Sequence, residues 1–260
     1  MRSTFAALVI AFASTSSLAQ DASLTLGSGI GFTSGKYGTG TTTRITSIPF
    51  FARYDTERWS FKASIPYLFI SGGASVIPGV GQVANTNPRG RGGRRGAEAT
   101  THGLGDLVTS ATYSAWYDED AELGIDVTGK VKWATANADE GLGTGANDYS
   151  LQVDVDKTFD KVTVFGGVGR SKLGSTEFIH LDSVWYANAG ASYRLDRNDN
   201  LGLSLDARQR VSPTAFPVRE LTAFWSHRID AHWRAQTYFL KGLAKGSPDW
   251  GGGFTAGYTF

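Results

Sequence analysis

The chain has 260 residues, 33 glycines, 12 % aromatic residues and no cysteine. The missing cysteines exclude disulfides and thiolate chemistry, and the aromatic content with only 7 prolines argues against disorder. Without Arg2, which falls in a predicted signal, 24 of the 25 basic residues remain to balance the 24 acidic ones. A neutral chain of this kind is not expected to bind nucleic acid.

Residues 1–19 predict a secretory signal peptide. Arg2 supplies a short positive region, an apolar stretch follows at 5–13, and Ser17 and Ala19 are the small residues that a signal peptidase reads. We place cleavage after Ala19, so that residues 20–260 form the exported protein. No later apolar run reaches about 18 residues, so no transmembrane helix is predicted.

After the signal, the chain divides into stretches in which apolar and polar residues alternate, which predicts β-strands. In 59–70, for example, Trp59 and Phe61 share one face while Lys62 and Ser64 share the other. Twelve strands are predicted, at 22–34, 42–54, 58–70, 104–117, 121–135, 147–159, 161–171, 183–195, 200–212, 218–228, 232–242 and 250–260. At about 10–13 residues each, they have the length of a tilted strand that crosses a bilayer.

The predicted connections alternate in kind. Short polar turns fall at 55–57, 118–120, 160–161, 196–200 and 230–231. Longer segments, several of them rich in glycine, fall at 34–41, 71–103, 136–147, 171–182, 212–217 and 242–249. This pattern predicts an all-β fold, a transmembrane antiparallel up-and-down β-barrel of about 12 strands with both termini on the periplasmic side.

Aromatic residues are expected at the two membrane–water boundaries of such a barrel. Beside the short turns lie Tyr54, Trp59, Tyr117, Phe159 and Trp233. Beside the long loops lie Trp133, Tyr149, Trp185 and Trp250. The sequence therefore predicts two aromatic girdles, which a soluble sheet has no reason to form.

The last predicted strand ends on Phe260, with Tyr258 and Phe254 on the same face. Alternating apolar residues before a terminal phenylalanine resemble the signal that the outer-membrane barrel-assembly machinery recognises. We therefore expect a location in the bacterial outer membrane, with that machinery, membrane lipid and lipopolysaccharide as partners.

Motifs for cofactors and metals are weak. The glycines of 141–145 and 166–169 lack the full GxGxxG spacing and a following helix. The segment 196–200 lacks the glycine and the distal glutamate of a calcium loop, and the four histidines show no ligand spacing. No cofactor and no metal site is predicted.

A barrel enzyme of the lipase or protease type is the alternative from another class. His180 precedes Ser183 by three residues, not by the two expected for a barrel phospholipase, and adjacent Ser226 and His227 would point to opposite faces. Carboxylates from separate strands could still form a protease-type site. A catalytic role is thus open but less favoured than a channel, and no catalytic residue is assigned.

The strongest charge run is 88–95, with Arg89, Arg91, Arg94 and Arg95. It is interpreted as a solvated outer loop or as a contact with lipopolysaccharide phosphates, both of which are favoured over a basic constriction folded into the lumen.

Strand alternation also predicts which charged side chains face the lumen. The candidates are Lys62, Asp106, Glu122, Asp126, Lys130, Lys132, Asp148, Asp154, Asp156, Arg194, Asp206, Arg208 and Arg210. Opposed acidic and basic walls could orient polar solutes, or could pair as salt bridges that close a narrow barrel. A conducting pore and a structural barrel with a plugged lumen both remain open.

The stretch 129–136 (GKVKWATA) and the stretch 141–149 (GLGTGANDY) resemble the transporter-like outer-membrane family named for the MetA pathway of phenol degradation. Ala134 and Ala136 stand where that pattern has proline and glycine. The likeness covers about 45 residues, through Gly174. It implies a barrel that passes small solutes, aromatic or hydrophobic ones among them, and it supplies no binding residues. The predicted function is passive uptake of a small solute of unknown identity.

Overall fold

The computed structural model describes residues 22–73, 75–88, 90 and 100–260. The predicted signal peptide and the four arginines of the basic loop, Arg89, Arg91, Arg94 and Arg95, lie outside the described residues. The described residues contain no helix with the length and apolar character needed to span a membrane.

The described chain is built of β-strands joined by turns and loops. The strands are β1 (Ser23–Gly35), β2 (Thr43–Asp55), β3 (Trp59–Ser71), β4 (Val76–Ile77), β5 (Gly81–Gln82), β6 (Thr101–Leu104), β7 (Val108–Asp118), β8 (Leu123–Lys132), β9 (Asp148–Phe159), β10 (Val162–Lys172), β11 (Val184–Arg194), β12 (Asp199–Arg208), β13 (Val218–Arg228), β14 (Trp233–Gly242) and β15 (Trp250–Thr259). All strands but β4 and β5 belong to one antiparallel sheet.

That sheet closes on itself. Strand β1 pairs with β2 on one side and with β15 on the other, through pairs such as Leu24 with Tyr54 and Leu26 with Tyr258. Strands β6 and β7 both pair with β3, so together they form one crossing strand. The predicted barrel of twelve crossing strands is therefore confirmed, and most strand ends lie within two residues of the prediction.

One predicted strand, 104–117, is interrupted in the structure. Residues 105–107 leave the ladder between β6 and β7, opposite Pro66 of β3. Proline has no N–H to donate, so the ladder loses a bond at this level, and only the Pro66 carbonyl is used, by the N–H of Gly105 at 2.8 Å. The interruption turns Asp106 into a buried position.

The hairpin of β4 and β5 was not predicted, because the whole of 71–103 was interpreted as an outer loop. Gly79 and Gly81 have φ of +79° and +88°, which lets the chain turn tightly between the two short strands. Val76, Ile77, Val80 and Val83 are at most 2 % exposed. We call residues 75–83 the mouth hairpin.

The outer surface of the barrel is apolar. Exposed aliphatic and aromatic side chains occur on the outward face of most long strands, among them Leu151, Leu203 and Phe239. The nine residues predicted to form girdles are 41–55 % exposed. A closed barrel leaves no unpaired strand edge, and an apolar belt of this extent is stable only against lipid. The chain therefore crosses a membrane with its strands.

Candidate functional site: the barrel lumen

The short turns gather at one end of the barrel and the long loops at the other. We call these the short-turn end and the long-loop end. In outer-membrane barrels the short turns face the periplasm. Residues directly opposite each other on neighbouring strands share a face, so the exposed apolar belt identifies the other face as the wall of the lumen.

Most of the predicted lumen residues lie on that inner wall. Partly exposed positions are Lys62, Asp126, Lys130, Asp154, Asp156 and Asp206. Nearly fully buried positions are Asp106, Lys132, Asp148 and Arg208.

Three predicted lumen residues lie at the rims. Glu122 is an exposed turn residue with φ of +46° before β8, and Arg210 is exposed in the loop after β12. The prediction that these two line the lumen is wrong, because both strands are shorter than the alternation suggested. Arg194 is the exposed last residue of β11, and its Nη2 donates to the Asp160 carbonyl at 2.7 Å.

Lys132, Asp106 and Asp148 form a buried charged triad near the long-loop end. The Lys132 Nζ lies 3.2 Å from Oδ2 of Asp106 and 3.4 Å from Oδ2 of Asp148, and all three side chains are at most 3 % exposed. The same Nζ donates to the Thr144 hydroxyl at 2.8 Å. Two carboxylates around one ammonium leave this group shielded from water, so its role is to hold structure.

The triad joins the long loops to the wall. Oδ1 of Asp106 accepts the Ala136 N–H at 2.9 Å, and Oδ1 of Asp148 accepts the Gly174 N–H at 2.8 Å. Ala136 belongs to the loop after β8, and Gly174 belongs to the loop after β10. Two long loops are therefore held to the barrel wall at this one point.

The mouth hairpin packs into an apolar cluster at the long-loop end. Its partners come from the wall and from two outer loops: Leu173, Ile179, Leu181, Val184, Val211 and Ala215. Since aliphatic side chains from three separate loops bury one another here, the hairpin is a packed part of the fold. It covers part of the mouth of the barrel.

Arg208 fastens the hairpin to the wall. Its Nη1 donates to the Gly79 carbonyl at 2.9 Å, and its Nη2 donates to the Val80 carbonyl at 2.7 Å. Glu220 on β13 lies opposite Asp206, two residue pairs away on the same face, and is 1 % exposed. The two terminal nitrogens of this buried guanidinium each have a carbonyl acceptor, which offsets part of the cost of burying the charge.

Lower in the lumen, strands β8 and β9 carry an acidic wall. Asp126 lies directly opposite Asp154, and Asp156 follows on the same face of β9. The Gln152 amide donates to Asp154 at 2.5 Å. Lys130 lies on the same face of β8, four residues from Asp126. Its Nζ is 6.0 Å from the centre of the Tyr186 ring.

Five inward aromatic residues lie opposite glycines on the neighbouring strand. The pairs are Gly27 with Phe51, Gly169 with Tyr186, Gly190 with Phe165, Gly202 with Phe224 and Gly253 with Tyr238. A Cβ at any of these glycines would come within 2.2–2.7 Å of the partner ring. Each ring therefore lies against the backbone of the next strand, where only glycine leaves room for it. The lumen is thus lined by aromatic rings that project only a short way from the wall.

Sequence reasoning missed these rings and three inward arginines, Arg53, Arg228 and Arg234. A signal for them was present. Tyr54 and Trp233 were assigned to the outer girdles, and adjacent strand residues face opposite sides, which places Arg53 and Arg234 in the lumen. The pairing that brings them together depends on strand register, which alternation alone does not give.

Histidines do not assemble a metal site. His227 contacts Asp199 at 2.8 Å on the outer face, and Trp225 donates to the same oxygen at 2.6 Å. Within the ranges that the structure covers, no group of three histidine or acidic side chains could hold a metal ion.

The fold and its lumen define a membrane-spanning β-barrel with a charged and aromatic interior. No protein-family model and no curated sequence matches the chain. Among solved structures, it is similar to an outer-membrane channel from Pseudomonas putida F1, with 14 % identity, coverage of 94 % of this chain and 97 % of that one, and a TM-score of 0.66.

Two further barrels show the same likeness. KdgM porin has 8 % identity, coverage of 91 % of this chain and 99 % of that one, and a TM-score of 0.56. The translocator domain of autotransporter NalP from Neisseria meningitidis has 12 % identity, coverage of 94 % and 90 %, and a TM-score of 0.50. At these identities the likeness shows the fold. A closed barrel of this fold with an apolar belt is an outer-membrane protein.

Proposed function

We propose that the protein is an outer-membrane channel for passive uptake of small solutes, aromatic ones among them. The observation that carries this proposal is the set of five inward aromatic rings that lie against cross-strand glycines. In a barrel of twelve strands the interior is narrow, so inward side chains decide whether a passage exists. Rings that lie along the wall keep the lumen wide and offer π-faces to a solute.

Glycines widen the same passage on one side. The inward faces of β1 and β15 carry Gly27, Gly29 and Gly31 on one strand and Gly251, Gly253 and Gly257 on the other, and these two strands are neighbours. A wall sector without side chains is costly for strand stability, which favours a functional reason for it. The resemblance to the family named for phenol degradation supports an aromatic solute.

The second candidate is a structural barrel with a plugged lumen, which the buried mouth hairpin favours. Single-channel recording in planar bilayers separates the two candidates. We expect openings from the wild-type protein, and larger or longer openings when residues 75–83 are replaced by a Gly-Ser linker. Absence of openings from both proteins, each verified as a folded barrel, would establish the plugged barrel instead.

The solute class can be compared by liposome swelling. We expect phenol and benzyl alcohol to enter faster than sugars of similar size, because the aromatic wall favours planar apolar solutes. Equal rates for all of them would remove the aromatic part of the proposal. Lipase and protease assays on the same preparation test the hydrolase alternative, and a hydrolytic rate above that of empty liposomes would favour it.

Lipopolysaccharide is the proposed partner at the long-loop end. Outward cations occupy the strand ends there: Arg44, Arg170, Lys172, Arg219 and Lys241, all of them exposed. Guanidinium and ammonium groups at this level suit lipid phosphates. Neutralising Arg219 and Lys241 together should weaken retention of lipopolysaccharide during purification, while neutralising Lys157 at the other end should leave it unchanged.

A further inference from the structure

Two pairs of cations face the lumen at the short-turn end. Arg53 of β2 lies directly opposite Lys62 of β3, and Arg228 of β13 lies directly opposite Arg234 of β14. Each pair is inward, because the strand neighbours Tyr54, Phe61 and Trp233 are exposed on the outer face. We call these four residues the basic arc.

The two pairs approach each other across strands β1 and β15. Arg234 lies close enough to both Arg228 and Arg53 for the charges to interact, and Lys62 interacts with Arg53 in the same way. Asp55 offsets part of this charge, since its Oδ1 lies 2.7 Å from Nε of Arg53. Four cations and one carboxylate give the arc a formal charge of +3, and Asp126 on the facing wall is close enough to Arg53 to offset part of it.

Like charges directly opposite each other on a sheet destabilise it. The basic arc contains two such pairs, so folding alone does not favour it. The facing wall contains a like-charge pair of negative sign, because Asp126 of β8 is paired directly with Asp154 of β9. Charges are thus sorted by wall, which produces a field across the lumen.

Small residues face the lumen on the two strands between the cationic pairs. Thr25 and Thr259 lie opposite each other with their hydroxyls 2.8 Å apart, and Gly27 lies opposite Gly257 two pairs further into the barrel. The hydroxyls can donate to an anion, and the ring of Phe51 lies over Gly27 and near Gly257. The wall here offers hydroxyl donors between the cations and that ring.

An aromatic ring borders the arc. Phe51 lies opposite Gly27, so its ring sits against the glycine pair, and the Lys62 Nζ is 5.2 Å from the centre of that ring. A planar acid could place its ring along Phe51 and its carboxylate among the cations. This combination distinguishes the arc from a plain basic surface, which would accept an inorganic anion equally well.

We propose that Arg53, Lys62, Arg228 and Arg234 bind the carboxylate of a small aromatic acid at the short-turn end of the lumen. The inference rests on the proposed channel function and names the class of solute that this lumen takes. The acidic wall repels such a solute toward the arc. Asp55 lowers the charge of the arc, which weakens binding and favours release.

Binding can be measured without conduction. The refolded barrel in neutral detergent is titrated at low ionic strength with benzoate and, separately, with benzyl alcohol, while the urea midpoint of unfolding is recorded. We expect benzoate to raise the midpoint and benzyl alcohol to raise it less. In Arg234→Gln and Lys62→Gln, the apparent Kd for benzoate should increase by about tenfold, as expected for loss of one charge-assisted contact.

Arg44→Gln is the matched control, because Arg44 is an exposed cation on the outer face of β2, the strand that carries Arg53. It should keep the wild-type affinity. Equal stabilisation by benzoate and benzyl alcohol, or an equal loss in Arg44→Gln, would overturn the proposal. The variants should also be at least as stable as the wild type without ligand, since they relieve a like-charge pair.

Reversal potentials in a salt gradient form the second arm. The wild type should prefer chloride over potassium, and Arg228→Gln combined with Arg234→Gln should reduce the preference severalfold. A channel that conducts with an unchanged preference would contradict the basic arc as the selective element. A barrel that binds benzoate but never conducts would contradict only the channel function, so the two failures are distinguishable.

Discussion

The Nη2 of Arg208 lies 2.7 Å from the carbonyl oxygen of Val80, so a wall residue of β12 holds the tip of the mouth hairpin inside the barrel. The apolar side chains around the tip supply burial, while the guanidinium supplies direction, because its two terminal nitrogens reach consecutive carbonyls. Control of the mouth should therefore depend on this one side chain.

Arg208→Lys tests that dependence. Lysine keeps the positive charge near Glu220 but presents a single ammonium in place of two directed donors, so the hairpin loses at least one charge-assisted bond. We expect a higher open probability in planar bilayers and a loss of about 1–3 kcal/mol in the free energy of unfolding. Arg210→Lys, in the exposed loop two residues away, is the control and should behave as the wild type. Identical gating in the two variants would show that Arg208 does not hold the mouth closed.

The barrel itself was predictable from the sequence, because it depends on patterns that repeat. Alternation in 59–70 and 147–159 reflects one face against lipid, and these two strands were each placed within one residue. The mouth hairpin was not predictable in this way. Val76 to Val83 is a short apolar stretch within a long loop, and its burial depends on Leu173 and Val211 from distant parts of the chain.

Alternation predicted which charged residues face the lumen, but not which of them contact one another. Alternation placed Lys62, Asp126 and Asp154 inward, which the register of the strands supports. It could not tell that Lys132 would be buried between Asp106 and Asp148, because those partners come from a strand interruption and from another strand. The strand register and the interruption opposite Pro66 decide which charged side chains come into contact. Neither of them produces a periodic pattern in the sequence.

Gly202→Val tests the aromatic–glycine pairs. A Cβ at Gly202 would lie 2.2 Å from Cζ of Phe224, so the ring must swing away from the wall and into the lumen. We expect lower single-channel conductance and a destabilisation of about 1–3 kcal/mol, as for overpacking in a well-packed site. Gly129→Val is the control, because nothing lies within 4 Å of a Cβ at Gly129 on the outer face.

A double variant separates displacement of the ring from loss of strand stability. Gly202→Val combined with Phe224→Ala removes the ring that the valine displaces, so conductance should return to at least the wild-type value. If conductance stayed low in the double variant, the effect would come from the strand and not from the ring.

Lys132→Met tests the buried charged triad. The substitution leaves Asp106 and Asp148 buried without the ammonium that lies 3.2 Å and 3.4 Å from their oxygens. Removing one partner of a buried ion pair typically costs about 3–5 kcal/mol, which urea unfolding of the refolded barrel would measure. Lys130→Met, on the same strand but partly exposed, should cost under about 1 kcal/mol. Similar losses of stability in both variants would show that the triad stabilises the barrel no more than the partly exposed Lys130 does.

The turn between β13 and β14 gives a pH-dependent prediction. Oδ1 of Asp230 accepts the backbone N–H groups of His232 and Trp233 at 2.8 Å and 2.7 Å, and these bonds lower the pKa of the Asp230 carboxyl. Since the folded-state pKa is lowered, the stabilisation is present above the unfolded pKa and is lost as pH falls through the folded one. The difference in urea midpoint between wild type and Asp230→Asn should therefore shrink below about pH 4. A constant difference down to pH 2 would contradict this assignment.

Phe260 should matter for assembly more than for stability. Phe260 is 67 % exposed, its ring contacts Tyr258 at a centroid distance of 4.8 Å, and its N–H donates to the Leu24 carbonyl at 2.9 Å. Phe260→Ala keeps the backbone bond and removes an exposed ring, so the free energy of unfolding should change by no more than about 0.5 kcal/mol. In cells, we expect severalfold less folded barrel in the outer membrane, because the ring is the part that assembly machinery would bind. Phe254→Ala removes an exposed phenylalanine on the same face of β15 and should assemble normally. Equal yields from the two variants would mean that Phe260 carries no assembly signal.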